Sequence, residues 1–372
     1  MKRIIITSLL MVIFIAQFGA GRTVAQHTKD QSDKDTAGKE RAAGGGETAP
    51  NHPIAPLRRD FKDSFPIPAG EKLEYEVKLS RFPIYGSLGI LTFENLGAVT
   101  NHQESGPANG DLQKAAVPPV SPTGPTGPTS PTGRWIEGMN TEFTPAPGEL
   151  LWRLRATAVS KGFFLSMFGI DASYRYETLV DMRDFSARAN LKEIKEGKKH
   201  VIQSTLFDPA EQQVKYLTTE LHRPDIPPRA KPLPREDGML SLLSAIYFVR
   251  LQKLKEGQML TFPVSADETN YRFEILVGKR ESLKTDCGKI KTVKLEPKLF
   301  GQGRLFNKIQ GEMTMWVSDD TKRTPLRLVA RTSKGTITAK LLNFKNKCSI
   351  VDQGDEKREI DGNNGTSGKA ER

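Results

Sequence analysis

The sequence has few of the residues that build metal centres and nucleophilic active sites. Its 372 residues include only two cysteines, Cys287 and Cys348, and five histidines. No Cys-x-x-Cys motif occurs, and no two histidines stand at the spacing of metal ligands. The Gly-x-Ser-x-Gly motif, which carries the nucleophile of many hydrolases, is absent as well. We therefore expect neither a metal nor another cofactor.

Apolar side chains are also scarce, and the shortage is concentrated in three stretches. Hydrophobic residues make up 37% of the chain, below the usual fraction for a globular protein. A segment with so few apolar side chains buries too little apolar surface to offset the conformational entropy that it would lose on folding. We expect a single β-rich domain at 61–350 with a disordered tether before it at 26–60, a disordered Pro/Thr/Gly insertion at 97–133 and a disordered tail at 351–372.

The longest apolar run lies at the N-terminus. Lys2 and Arg3 precede a run from Ile4 to Ala16, and small residues follow. This order is typical of a secretory signal peptide, with cleavage after Ala25. The run is too short to span a bilayer comfortably, although a retained membrane anchor is the alternative. We expect residues 1–25 to be a signal peptide without a lipobox cysteine, and the protein to be periplasmic or otherwise exported.

Positive charge is in excess, with a formal net charge of +11. The tail after Val351 is not the source, since it has six acidic and four basic residues. Such a surface can attract anionic lipid head groups or sugars. Nucleic acid is not an expected partner of an exported chain. Such a run of basic residues is most often a solvated sheet face, and peripheral contact with a membrane is the alternative. The excess is illustrated by Lys279, Arg280, Lys284, Lys289, Lys291 and Lys294.

The rest of the chain alternates apolar and polar residues as β-strands do. In KLEYEVKLS, Leu73, Tyr75, Val77 and Leu79 share one face and the charged residues share the other. Comparable segments recur as far as GTITAKLLNF, and short turns separate most of them. The pattern predicts about a dozen strands, and antiparallel pairing is the economical arrangement.

One segment, DGMLSLLSAIYFVRLQKLKEG, has apolar residues at helical spacing instead. Asp237 or Ser241 is expected to cap its start, and Gly257 to end it. A single helix among many strands must bury its apolar face against the sheet. The predicted fold class is therefore mainly β: a curved antiparallel sheet or half-barrel wrapped around one apolar helix.

Arg250 stands in the middle of this apolar helix, close to Tyr247. A buried charge needs a partner, and the commoner solution is a structural salt bridge, here to a carboxylate of the sheet. The alternative is that Arg250 holds the head group of an amphiphile in a cavity between helix and sheet. Arg250 and Tyr247 are therefore candidate ligand-binding residues.

The stretch MWVSDDTKRTPLRL reads as two strands around a turn, and its Trp316 is a third candidate for ligand binding. Asp319 and Asp320 would suit acid–base catalysis if they converged. Adjacent strand residues face opposite ways, however, and aspartate favours the first positions of turns. Pro325 suits the first position of a strand. We interpret this stretch as a sheet corner rather than an active site.

Four stretches resemble a family of bacterial exported proteins, domain of unknown function 3108. The resemblance runs from about Phe61 to Phe344 and rests on FPIPAGEKLEYEVKLSRFPIYGSLGILTFE, LLSAIYFVRLQKLKEGQMLTFPV, GKIKTVKLEPKL and MWVSDDTKRTPLRL, in that order. It implies export and a half-barrel of antiparallel strands around a helix. That half-barrel is similar to the periplasmic lipoprotein carriers, by analogy of fold alone. The resemblance implies no activity, because the family's own function is unassigned.

Three functions fit these features. The first is a non-enzymatic envelope protein that binds a lipid, glycan or other hydrophobic partner in the concave face of the sheet. The second is a structural or scaffolding module whose tether, insertion and tail engage another envelope protein. The third is a hydrolase acting through Asp319 and Asp320, which we favour least.

The two cysteines are a candidate disulfide, because an even pair in an exported protein suggests a bond. The alternative is two separate thiols. A bridge between Cys287 and Cys348 would tie the end of the last strand to an earlier turn. It would close a loop of about 60 residues and stabilise the fold by roughly 4 kcal/mol. We expect a thiol count on unreduced, denatured protein to find no free thiol, and two free thiols would contradict the bridge.

Overall fold

The computed structural model describes residues 67–342, apart from residues 82–83, 100–135, 137, 142, 144, 146–148, 162–170, 287, 308 and 334. The expected signal peptide, tether and tail, most of the insertion, and both cysteines lie outside the described residues. Strand pairing extends to Val99, so residues 97–99 belong to a strand rather than to the insertion expected at 97–133. No helix in the described ranges is long and apolar enough to cross a membrane.

The described residues form fifteen strands and one helix, α1, at Leu242–Arg250. The strands are β1 Lys72–Arg81, β2 Ile84–Val99, β3 Leu151–Ser160, β4 Ala172–Asp181, β5 Ala187–Glu196, β6 Lys199–Asp208, β7 Gln213–Glu220, β8 Arg229–Pro234, β9 Leu240–Ser241, β10 Met259–Ala266, β11 Thr269–Thr285, β12 Gly288–Pro297, β13 Gly311–Ser318, β14 Pro325–Thr332 and β15 Gly335–Leu341.

All fifteen strands belong to one large, curved, open sheet. Their order is β8-β7-β6-β5-β4-β3-β2-β1-β15-β14-β13-β12-β11-β10-β9. Every pairing is antiparallel except that of β9 with β10. The mainly β fold with a curved antiparallel sheet is therefore confirmed. The strand number is higher than the expected dozen, because β8 and β9 were not predicted.

The two missed strands are both edge strands with weak signals. The strand β8, RAKPLP, contains Pro232 and Pro234, which cannot donate to a ladder and argue against a strand in the sequence. Because β8 pairs on one side only, the prolines are tolerated there. The other edge strand, β9, has only two residues.

The predicted inner face of β1 is confirmed. Leu73, Tyr75, Val77 and Leu79 are all buried, whereas the intervening charged residues are exposed or half-buried. Their neighbours in the sheet continue the same apolar layer, for example Leu91 opposite Tyr75. The alternation with a period of two therefore places the main core on one face of the sheet.

The helix starts as predicted but ends early. The Ser241 hydroxyl accepts a hydrogen bond from the backbone N–H of Ser244, and the side chain of Ser244 bonds back to the cap, which forms a capping box. The last helical residue is Arg250 and the C-cap is Leu251, whose N–H bonds to the carbonyl of Phe248. The expectation that Gly257 ends the helix is therefore wrong. Gly257 adopts a positive φ of 80° in the next turn.

The two ends of the sheet approach each other through side chains. At the tip of the β10–β11 hairpin, a carboxylate oxygen of Asp267 accepts from Lys192 Nζ of β5 at 3.0 Å. The neighbouring Glu268 accepts from Thr218 of β7 at 3.1 Å and from Arg229 of β8 at 2.6 Å. These polar contacts join the β5–β8 end of the sheet to the β10–β11 hairpin, and an apolar cluster of Met239 with Ala187, Phe207, Val214 and Tyr216 lies close to them.

Gly89 allows β3 to approach β2 closely. A bulge interrupts the β1–β2 pairing beside it, and its φ is 157°. A Cβ atom at this position would lie only 2.1 Å from the carbonyl oxygen of Val159. The neighbouring atom belongs to the backbone of a paired strand, so it cannot move aside cheaply.

Gly89→Ala is therefore expected to lower the free energy of unfolding by about 3 kcal/mol through overpacking. The control is Gly197→Ala in the β5–β6 turn, which also has a positive φ, 54°, but has nothing within 4 Å of the added Cβ. The control should cost only about 1 kcal/mol of backbone strain. Urea unfolding of both variants provides the measurement, and equal losses would contradict this explanation.

Candidate functional site

A cavity of about 130 Å³ lies between α1 and the inner face of the sheet. Its lining comes from α1, from nine strands (β1 to β4 and β11 to β15) and from the connection between β12 and β13. Among the described residues, Arg327 is the only charged one in this lining, and Tyr75 and Tyr176 are the only others with a polar side-chain group. The cavity is therefore apolar.

The helix contributes an apolar row to this cavity. Leu242 and Ile246, four residues apart, lie on the same side of α1, line the cavity and are only half-buried. On the other sides, Tyr247 and Phe248 are almost fully buried. Leu243, Ala245 and Val249 line the cavity as well and are buried, so Leu242 and Ile246 are the partly exposed part of the helical wall.

A second part of the lining comes from the connection between β12 and β13. Leu299, Leu305 and Phe306 line the cavity and are buried. The rings of Phe300 and Phe306 lie with their centroids 4.9 Å apart. Sequence reasoning missed these residues because they lie outside the alternating strands. The sequence nevertheless contains a signal for them, because the segment LFGQGRLF (299–306) begins and ends with a Leu-Phe pair, and such apolar pairs indicate burial.

The hydroxyl groups of the two lining tyrosines are directed to partners in the protein. Tyr75 donates a hydrogen bond of 2.7 Å to the carbonyl oxygen of Pro325, and its ring packs edge-on against Phe93. Burial raises the pKa of the Tyr75 hydroxyl. Burial also raises the pKa of Tyr176, whose hydroxyl bonds to Asn190. Both groups are neutral and engaged, which keeps the cavity wall apolar.

Arg250 forms a buried ion pair rather than lining the cavity. Its two terminal nitrogens donate to the two carboxylate oxygens of Glu71 at 2.6 and 2.8 Å, and its Nε donates to the carbonyl oxygen of Lys322 at 3.2 Å. Only 2% of Arg250 is exposed. Burial by itself lowers the pKa of Arg250, but the hydrogen bonds and charge of Glu71 outweigh it and raise the pKa. Arg250 thus forms a salt bridge with Glu71, which lies immediately before β1 in the chain.

The other two candidate residues also lie outside the cavity lining. The Tyr247 ring lies 5.4 Å from the guanidinium carbon of Arg250, and its buried hydroxyl has no hydrogen-bond partner within the described ranges. Trp316 lies opposite Lys294 and Arg327 in the sheet, and its indole N–H donates to Glu281. The structure brings Tyr247 and Arg250 together and leaves Trp316 apart, and ligand binding by the three stays a prediction.

The aspartates of MWVSDDTKRTPLRL are engaged in turn contacts. One oxygen of Asp320 accepts from the Ser318 hydroxyl and from the backbone N–H groups of Lys322 and Arg323 at 2.8–3.0 Å. Asp319 accepts from Nε of Arg280 at 3.0 Å. These bonds agree with the interpretation of a sheet corner. No group of three or more potential metal ligands occurs among the residues that the structure describes.

The model of a family described as protein of unknown function (DUF3108) matches residues 136–342. The chain belongs to this family. The DUF3108 match contains three of the four stretches that carry the resemblance, and the first stretch precedes it. That first stretch nevertheless supplies cavity residues, because Tyr75, Leu91 and Phe93 lie on β1 and β2.

No curated protein matches the chain. A solved structure, described as a β-barrel-like protein of domain of unknown function DUF1849 from Brucella abortus, is similar with a TM-score of 0.38 and 9% sequence identity. The likeness covers 74% of this chain and 96% of that one.

The ion pair between Arg250 and Glu71 can be tested by breaking it from one side. Glu71→Ala leaves a buried, unpaired guanidinium and is expected to lower the free energy of unfolding by roughly 3–5 kcal/mol. Glu71→Leu combined with Arg250→Met removes both charges and should cost clearly less. Urea unfolding measures both.

The matched control is Glu74→Ala, which breaks an exposed pair with Lys72 and should cost less than about 1 kcal/mol. Equal losses in the single Glu71 variant and the double variant would contradict the importance of the unpaired charge.

Proposed function

We propose that this protein is a non-enzymatic, exported binding protein that holds an apolar group of its ligand in the cavity beside α1. The observation that carries the proposal is the apolar wall of that cavity, to which the helix and nine strands contribute. The N-terminal signal-like sequence supports export to the cell envelope. In this proposal the curved sheet encloses the helix on its concave side.

The volume of the cavity limits what it can hold. At about 130 Å³, it is close in size to apolar cavities of about 150 Å³ that remain dry and bind benzene. It therefore accommodates one aromatic ring or a short run of methylene groups. Because Leu242 and Ile246 at its wall are half-buried, a longer chain can extend outward past them. The acyl chain of a lipid is the ligand class that fits best.

The chemistry of the wall favours a lipid over a glycan. A glycan presents hydroxyl groups that lose hydrogen bonds with water on binding, so its site needs several polar partners. The hydroxyls of Tyr75 and Tyr176 are already bonded within the protein. An acyl chain needs no such partners and gains from the removal of apolar surface from water.

The other two hypotheses have less support. The hydrolase hypothesis relied on Asp319 and Asp320, whose carboxylates are engaged by Arg280 and by the backbone of the turn. The scaffolding hypothesis relies on segments outside the described residues and stays a prediction. It would fail if partner capture survived deletion of the terminal segments and of residues 107–133.

The experiment makes the half-buried wall of the cavity polar. Leu242→Gln combined with Ile246→Gln should weaken binding of the apolar fluorophore N-phenyl-1-naphthylamine by roughly 10- to 100-fold, since each position loses about 1 kcal/mol of apolar contact. Both residues are partly exposed, so the helix should keep its fold. Solvent extraction of the native protein followed by mass spectrometry should recover a lipid from the wild type and less from the variant.

The matched control is Val159→Gln combined with Leu221→Gln. These residues are 49% and 46% exposed and do not line the cavity. The control should bind the fluorophore as the wild type does. Equal binding by all three proteins, or the absence of any extractable apolar ligand and of fluorophore binding in the wild type, would refute the proposal.

A further inference from the structure

The outer part of the β11–β12 hairpin has two different faces. Beyond a bulge between Val277 and Arg280, Ser282 pairs with Lys291, Leu283 with Ile290, and Lys284 with Lys289. Residues directly opposite each other in an antiparallel pair project to the same side, and successive pairs alternate. Leu283 and Ile290 therefore share one face, and the other two pairs share the opposite face.

The apolar face packs on the body of the protein. Leu283 is 8% exposed and Ile290 is 4% exposed, although both lie near the tip of a hairpin. Leu283 shares a small cleft with Leu326 of β14 and Leu341 of β15. The hairpin is thus held against the ends of β14 and β15, which fixes the direction of its other face.

The opposite face is basic and exposed. Its four residues are Ser282, Lys284, Lys289 and Lys291, all of them exposed and none acidic. Lys284 stands directly opposite Lys289, at a Cβ separation of about 4.5–5.5 Å. Like charges in that arrangement destabilise a sheet, so folding alone does not account for them. Lys291 follows Lys289 on the same face, about 7 Å further along the strand.

We propose that this face, Ser282–Lys284–Lys289–Lys291, docks the protein on an anionic lipid bilayer. Each lysine near an anionic membrane surface contributes about 1 kcal/mol of attraction, with no need for a shaped pocket. The face carries no aromatic or aliphatic side chain, whereas protein interfaces are centred on such anchors. A negatively charged bilayer surface is therefore the partner that matches it.

This proposal rests on the hairpin and not on the cavity. None of the four residues lines the cavity. Substitutions on the hairpin face should leave fluorophore binding in the cavity unchanged, and the cavity substitutions should leave membrane docking unchanged. The two proposals can therefore fail separately.

The test compares vesicles of phosphatidylcholine with vesicles of equal parts phosphatidylcholine and phosphatidylglycerol in a flotation assay. The wild type should partition to the anionic vesicles, and added salt should weaken the binding. Lys284→Gln, Lys289→Gln and Lys291→Gln together should reduce the partition coefficient on the order of 100-fold, from about 1 kcal/mol for each lysine. Arginine at the same three positions should retain the binding.

The control removes the same charge at the opposite end of the strands, with Lys78→Gln, Lys161→Gln and Lys198→Gln. These three lysines are exposed. The control should bind nearly as the wild type does, and thermal unfolding should confirm that all variants are folded. The proposal is overturned if the wild type does not prefer anionic vesicles, as an acidic protein or glycan partner would imply, or if the triple hairpin variant binds as tightly as the wild type.

Discussion

One buried ion pair ties the helix to the middle of the sheet. Glu71 immediately precedes β1, and seven strands lie on either side of β1 in the sheet order. Arg250, at the last position of α1, engages both oxygens of that carboxylate. A buried guanidinium is costly unless its donors are satisfied, so the helix has one favourable position relative to β1. That position directs Leu242 and Ile246 toward the cavity.

The turn between β13 and β14 completes this junction. The carbonyl of Lys322 accepts from Arg250, and the Arg323 guanidinium donates to the carbonyl oxygen of Arg250 at 3.1 Å. The hydroxyl of Tyr75 on β1 donates to the carbonyl of Pro325. The turn between β13 and β14 therefore contacts the C-terminal end of the helix. Asp320 stabilises this turn, because its carboxylate accepts hydrogen bonds from the backbone N–H groups of Lys322 and Arg323. These hydrogen bonds give the polar residues of the corner a structural role.

The sequence predicted the parts of the fold that depend on local pattern. Alternation identified thirteen of the fifteen strands, and Ser241 was a correct helix cap because capping involves residues only three positions apart. Long-range partners were not predictable. Glu71 lies 179 residues from Arg250, and nothing local distinguishes it from other carboxylates. The cavity was expected only as a space between helix and sheet. Its irregular wall, including Leu299 and Phe306, depends on how a non-repeating connection packs.

The hairpin turn at Asp267 and Glu268 shows where local and tertiary requirements conflict. Both residues have positive φ values, 52° and 58°, which glycine or asparagine would adopt at lower cost. Such strain persists only where surrounding contacts determine the conformation. Here the carboxylates accept bonds from Lys192, Thr218 and Arg229, and these bonds join the two ends of the sheet. A glycine at either position would adopt the positive φ at lower cost, but it would lack the carboxylate that accepts these hydrogen bonds. These contacts therefore require carboxylates at a turn for which local preferences alone would select glycine or asparagine.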